Sequence, residues 1–265
     1  MEAVIQGCRL FYRYEPAQQA DAPVLLLLHG WGCDSSIFHA FEEDFSRNAS
    51  LLTVDFPGHG QSGEPPVPWS VTEYAEQIFA LLQELKIEKA DIIAHSFGGR
   101  VAILLAATHP NKVGKMVLTG AAGIREPATQ TQSKRQKRYQ QYKRMLGALG
   151  KVPFLRNFVS RLMEKLRQRY GSPDYNRLNE NMRKTFVRVI TQDLTELLPK
   201  VQASTLLIWG SEDTETPLWM GQKMESSIPD AGLVVFDGRS HFAFLEESYR
   251  FQVIVRRFLW GGEAA

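Results

Sequence analysis

Short apolar runs recur along the chain, separated by stretches in which apolar positions return every three or four residues. Val24-Leu25-Leu26-Leu27-Leu28 is continuous rather than alternating. That is the pattern of a strand buried on both faces. The same reading holds for residues 51–54, 91–94, 115–119, 205–209 and 233–236. Helical spacing lies between them, for example over 71–85 and 97–107. Strand and helix in alternation predict a parallel sheet covered by helices. Residues 4–14 are expected to form an antiparallel edge hairpin or strand.

The alternation breaks between residues 125 and 200, where three helices are expected. Tyr139, Tyr142 and Leu146 mark one apolar face. Leu155, Phe158, Val159, Leu162, Met163 and Leu166 mark a second. Met182, Phe186, Val189 and Ile190 mark a third. Glycine and proline at 147–153 and 171–173 supply the breaks. This block reads as a helical cap inserted into a core domain made of residues 1–124 and 201–265.

A chain of 265 residues with 44% hydrophobic and 23% charged content suits one large soluble α/β domain. Its two cysteines, Cys8 and Cys33, have no metal or redox spacing. The first residues lack a basic leader followed by an apolar run, and no apolar stretch reaches the roughly 20 residues that span a bilayer. The expected compartment is the cytoplasm, with neither a membrane span nor a nucleic-acid partner. The net charge of +2 conceals an asymmetry. Residues 125–200 hold 18 lysines and arginines against six acids, a net +12, and the rest of the chain carries −10. Solvated helix faces explain this blandly. A positive field that attracts anionic substrates, or an anionic surface, is the sharper reading.

The chemistry concentrates where the predicted strands end, which is where open parallel sheets bind ligands. Ala94-His95-Ser96-Phe97-Gly98 follows a strand and opens a helix. A serine on so tight a turn has its hydroxyl pushed out of the sheet, and small residues are needed two before and two after it. Gly98 and Ala94 supply them, with Ala94 in place of the usual first glycine. Otherwise Ser96 would merely cap the helix.

A serine needs a base. Of six histidines, His241 lies in the loop after the last predicted strand. His29 and His59 belong to turns expected to hold backbone, His95 to point elsewhere off the elbow, and His39 and His109 to lie in helices without chemical company. The base in turn needs a carboxylate. Glu212, Asp213 and Glu215 follow the strand 205–209, and Asp213 is the choice. These acids could also cap the helix that begins near Pro217. An oxyanion calls for two backbone N–H groups: Phe97 after the nucleophile and Trp31 between Gly30 and Gly32.

His29-Gly30-Trp31-Gly32, Asp55-Phe56-Pro57-Gly58-His59-Gly60-Gln61-Ser62, the Ser96 elbow, the Asp213 loop and His241 together resemble the capped α/β-hydrolase superfamily. The resemblance spans nearly all of the chain outside the cap. It implies the α/β-hydrolase fold: a mostly parallel eight-stranded sheet flanked by helices, with an inserted helical lid. It also implies hydrolysis through an acyl-enzyme with no cofactor and no metal. Epoxide hydrolases and haloalkane dehalogenases share the layout but use an aspartate nucleophile, against which Ser96 argues.

The expected activity is cleavage of small to medium acyl esters by Ser96, His241 and Asp213, on a small-molecule substrate that the basic cap would allow to be anionic. Three other readings stand beside it. One is C–C bond hydrolysis of an anionic ring-cleavage product. Another is an aminopeptidase, for which the cap offers only Glu126, Glu164, Asp174, Glu180, Asp193 and Glu196 to hold an amine. The third is a ligand-binding protein that keeps the triad but turns over slowly.

Overall fold

The computed structural model describes residues 1–19, 21–125 and 173–261, together with residues 141, 142, 145, 159 and 162. Eight strands form one sheet: β1 (Glu2–Ile5), β2 (Cys8–Glu15), β3 (Val24–Leu28), β4 (Ser50–Asp55), β5 (Ala90–His95), β6 (Val113–Thr119), β7 (Thr205–Gly210) and β8 (Ala231–Phe236). Their order is β1-β2-β4-β3-β5-β6-β7-β8. β1 and β2 pair antiparallel, β2 lies antiparallel to β4, and every other pairing is parallel. The edge hairpin turns through Gln6 and Gly7, both at positive φ, which matches the twist of a two-residue turn.

The unbroken apolar strands follow from burial on both sides. In β3, Leu26 and Leu28 enter one core while Leu25 and Leu27 enter the other. β7 does the same, with Leu207 and Trp209 on one face and Leu206 and Ile208 on the other. Each fully buried leucine contributes about 1.5–3 kcal/mol.

Helices α1 (His39–Phe45) and α6 (Ser248–Trp260) cover one face through Phe41, Phe45, Phe251 and Val255. Helices α2 (Val71–Glu84), α3 (Phe97–Thr108) and α5 (Leu218–Ser227) cover the other through Tyr74, Ile78, Val101 and Met224. α2 begins where Ser70 Oγ accepts the Thr72 N–H and Glu73 accepts the Ser70 N–H at 2.7 Å, a capping box. α6 ends at Gly261, whose φ of 70° a side chain would disfavour.

The chain divides into two compact units: Met1–Arg125 with Lys184–Ala265, and Glu126–Arg183. Residues 184–200 thus group with the sheet unit. The third expected helix is present as α4 (Glu180–Thr191). Met182 and Val189 are buried, and buried Thr185 joins them, but Ile190 is exposed. Of the first two apolar faces expected over 125–200, only Tyr142, Val159 and Leu162 lie among the described residues; Val159 is buried and the other two are exposed. No helix among the described residues is long and apolar enough to cross a membrane.

Candidate active site

Ser96 stands between β5 and α3 with φ 51° and ψ −109°, a region that side chains normally avoid. Its neighbours hold it there. The Ser96 N–H donates to Thr119 O at 3.1 Å, and Ser96 O accepts from Gly99 and Ala122, each at 3.0 Å. Crossing the elbow so tightly forces the chain against β3. A Cβ on Gly98 would lie 2.3 Å from Leu28 O, so glycine is required there. Ala94 is fully buried with its methyl accommodated in the core. The alanine in the motif therefore leaves the elbow intact.

The first N–H groups of a helix have no intrahelical partner. In α3, Gly98 gives its N–H to His29 O at 3.1 Å and Gly99 gives its own to Ser96 O. Among the described residues, neither the Phe97 nor the Trp31 N–H bonds to backbone in the turns and loops. The Trp31 loop lies against the elbow: a Cβ on Gly30 would come within 3.3 Å of Ser96 Cβ, and the Trp31 and Phe97 rings are 5.4 Å apart.

Beyond β7 and β8, the structure joins Asp213 and His241. His241 Nδ1 lies 2.8 Å from Asp213 Oδ2. A carboxylate only accepts, so Nδ1 carries the proton and Nε2 of the neutral ring has a free lone pair. Asp213 is buried and amply bonded. Its Oδ1 accepts from the N–H groups of Glu215 and Thr216, both at 2.9 Å. Burial alone would raise its carboxyl pKa. The hydrogen bond to His241, the Thr216 N–H, the charge of His241 and the Thr216 hydroxyl outweigh burial and hold it below the usual value. Its bonds to Glu215 and Thr216 close a turn ahead of α5, whose N-cap Pro217 has no side-chain cap, so Asp213 orients His241 and does not cap the helix.

The other histidines have distinct duties. His29 Nε2 accepts the Phe56 N–H at 2.9 Å, which leaves Nδ1 to donate to Gly30 O at 2.7 Å. It ties two loops together, and burial drives its pKa down to about 4. His59 is buried between Trp31 and Phe97, in line with its expected structural role. His95, expected to point elsewhere off the elbow, lies with its ring beside that of His241. Nδ1 donates to Thr119 O at 3.1 Å, and the ring lies 4.7 Å from that of His241. Burial, with the neighbouring His241 charge, lowers its pKa to about 3, so it stays neutral. His109 is not without company: it caps the end of α3, stacks on Phe79 at 3.7 Å and reaches Glu76 at 3.1 Å.

The Asp55-to-Ser62 motif proves to be a clamp. Asp55 accepts the Ser35 N–H and the Gln61 N–H, both at 2.8 Å. A Cβ on Gly60 would fall 2.2 Å from Asp55 Oδ2. The motif fixes the loop beside Trp31 rather than supplying reacting groups.

Two residues at this site carried no sequence signal strong enough to single them out. Gly120 directly follows β6 with φ 49°, and a Cβ there would lie 3.1 Å from His241 Nδ1 and 3.2 Å from Asp213 Oδ2. Thr119-Gly120 is thus the floor on which the elbow and the His241–Asp213 pair meet. A glycine directly after a buried strand was the available clue. Thr216 is the other: its hydroxyl lies 2.8 Å from Asp213 Oδ2 and 2.9 Å from Gly120 O. A lone threonine in a polar loop gives no such hint. A groove of about 580 Å³ around Asp91, Asn111 and Lys115 lies at the amino ends of the strands, the opposite end from Ser96. Among the described residues, no group of three or more His, Cys, Asp or Glu is placed to hold a metal ion.

A model of the alpha/beta hydrolase fold matches residues 23–248. The chain is 28% identical to a pimeloyl-[acyl-carrier protein] methyl ester esterase of Neisseria meningitidis, over 89% of this chain and 92% of the relative. It is 26% identical to a 2-hydroxymuconate semialdehyde hydrolase of Pseudomonas sp. strain CF600, over 91% and 88%. A solved hydrolase from Pseudomonas aeruginosa superposes with a TM-score of 0.75 at 25% identity, over 98% of both chains.

Proposed function

The chain belongs to the α/β-hydrolase family, and from that membership we propose that it is a serine hydrolase cleaving carboxylic esters of small to medium acyl groups through an acyl-enzyme. The observation that carries this reading is the 2.8 Å bond between His241 Nδ1 and Asp213 Oδ2 beside the strained Ser96 elbow. Such a bond fixes the tautomer a general base needs.

His241 Nε2 takes the proton from Ser96 Oγ as Oγ bonds to the carbonyl carbon. The carbonyl electrons move to oxygen, which the N–H groups of Trp31 and Phe97 hold; removing one such donor commonly costs about 3–4 kcal/mol. Collapse breaks the ester C–O bond, and His241 gives its proton to the leaving alcohol. Water, deprotonated by His241, then releases the acid and restores Ser96. Residues 125–200 act as the cap that sets substrate choice, and their net +12 favours an anionic acyl or leaving group.

A second reading is supported by the similarity to the 2-hydroxymuconate semialdehyde hydrolase together with that charge: C–C bond hydrolysis of an anionic dienoate by the same residues. Labelling with a fluorophosphonate, followed by peptide mass mapping, tests what both readings share. The adduct should sit on Ser96, and an unlabelled Ser96 would sink both. Side-by-side turnover of p-nitrophenyl esters and a dienoate then separates them.

A further inference from the structure

Thr216 is buried, and its hydroxyl lies among three polar atoms of the site. Oγ1 is 2.8 Å from Asp213 Oδ2, 2.9 Å from Gly120 O and 3.3 Å from His241 Nδ1. A hydroxyl has one proton to give. Gly120 O is a neutral acceptor, whereas Asp213 Oδ2 is a carboxylate oxygen, and hydrogen bonds to charged acceptors are the stronger ones. The proton therefore goes to Asp213 Oδ2, the same oxygen that receives the His241 Nδ1–H.

We propose that Thr216 is a positioning residue that shares Asp213 Oδ2 with His241 and so keeps the imidazole less basic than an undivided carboxylate would make it. The idea rests on the triad reading above. The hydroxyl spreads the carboxylate charge, which stabilises the ion pair formed when His241 is protonated less than an unshared carboxylate would. A less basic imidazole keeps a larger share of the neutral form that accepts the serine proton. Orientation of Asp213 does not depend on the hydroxyl, because the Glu215 and Thr216 N–H groups hold Oδ1.

The groups around His241 are few among the described residues. Asp213 faces it from the loop after β7, and neutral His95 from the end of β5. Ser96 follows His95 at the elbow, and Gly120 presents only backbone from β6. On its own segment, Arg239 pairs with Glu247, and Glu246 binds Ser240. Of these, Thr216 touches only Asp213 and the Gly120 carbonyl, so its substitution reaches His241 through Asp213 while His95, Arg239 and Glu246 keep their own partners.

The test is the titration of His241 followed directly by imidazole NMR, with assignment from His241→Ala, in the wild type, Thr216→Val and Thr216→Ser. Thr216→Val should raise the His241 pKa by roughly 0.5–1 unit and carry the acid limb of kcat/KM with it. Thr216→Ser should stay within about 0.2 unit of the wild type. If the valine variant does not fold, Thr216→Ala reads the same quantity. An unmoved or lowered pKa in the variants lacking the hydroxyl overturns the proposal. Should His241→Ala keep full activity, the triad reading fails separately, while the NMR shift still decides the role of Thr216.

Discussion

The rings of His95 and His241 lie 4.7 Å apart, yet only His241 has a carboxylate against its Nδ1. His95 spends its Nδ1 proton on Thr119 O and is buried too deeply to ionise near neutral pH. On the proposed mechanism these two neighbouring histidines have opposite duties, one holding backbone and the other moving protons.

Their exchange for inert residues should separate those duties. His241→Ala is expected to lower kcat/KM for p-nitrophenyl butyrate by a factor of about 10⁴ or more. His95→Leu should retain turnover within about tenfold but lose about 0.5–1.5 kcal/mol in urea unfolding, because Thr119 O loses one of its two donors and keeps only the Ser96 N–H. A His95→Leu enzyme as dead as His241→Ala would mean that the roles have been assigned wrongly.

Acid should weaken the fold well above the carboxylate range. The folded-state pKa values of His29 and His95 are lowered to about 4 and about 3, so the unfolded chain binds protons that the folded chain refuses. Their contribution is fully present above the unfolded value near 6.5 and is lost as pH falls toward the folded values. Each group adds a slope of about 1.4 kcal/mol per pH unit within its window. Asp213, depressed in the opposite chemical class, contributes above its unfolded value and is lost at still lower pH. Urea midpoints at pH 7, 6 and 5 should fall steadily, and a flat profile would contradict neutral burial of the two rings.

The elbow makes a steric forecast. Gly98→Ala places a methyl group 2.3 Å from Leu28 O and should cost several kcal/mol or prevent folding. Ala94→Gly should cost only about 0.5–1 kcal/mol and leave kcat/KM within about twofold. Thermal melts of both variants check this, and a stable Gly98→Ala protein with unchanged activity would refute the geometry.

Most of this arrangement was legible in the sequence because tight local rules govern it. A strand buried on both faces must be continuously apolar, as Leu25 to Leu28 are, and an elbow that crosses β3 must carry glycine at 98. Asp213 and His241, which the structure brings within 2.8 Å of each other, also stand beyond strand ends. What escaped was set by distant packing. That His95 bonds to Thr119, that Gly120 makes room for the Asp213–His241 pair, and that Thr216 touches Asp213 all depend on how three strand ends converge. No spacing along the chain encodes that. The division between the two units at Arg183 also falls inside α4, where one apolar periodicity runs through.

The charge of residues 125–200 should show itself as a salt effect. Exposed charges are screened over about 8 Å at physiological ionic strength. For an anionic ester, kcat/KM should fall as salt is raised from 20 to about 300 mM, while the neutral analogue barely moves. Parallel behaviour of the two substrates would leave the basic segment no part in substrate choice.

The nucleophile is tested most directly by turnover of p-nitrophenyl butyrate by the wild type and by Ser96→Ala, with circular dichroism to show that both are folded. Steady wild-type turnover, preceded by a burst near one equivalent of p-nitrophenolate, and a loss of about 10⁴-fold or more in Ser96→Ala are expected. A folded Ser96→Ala protein that turns over within tenfold of the wild type would contradict an acyl-enzyme on Ser96.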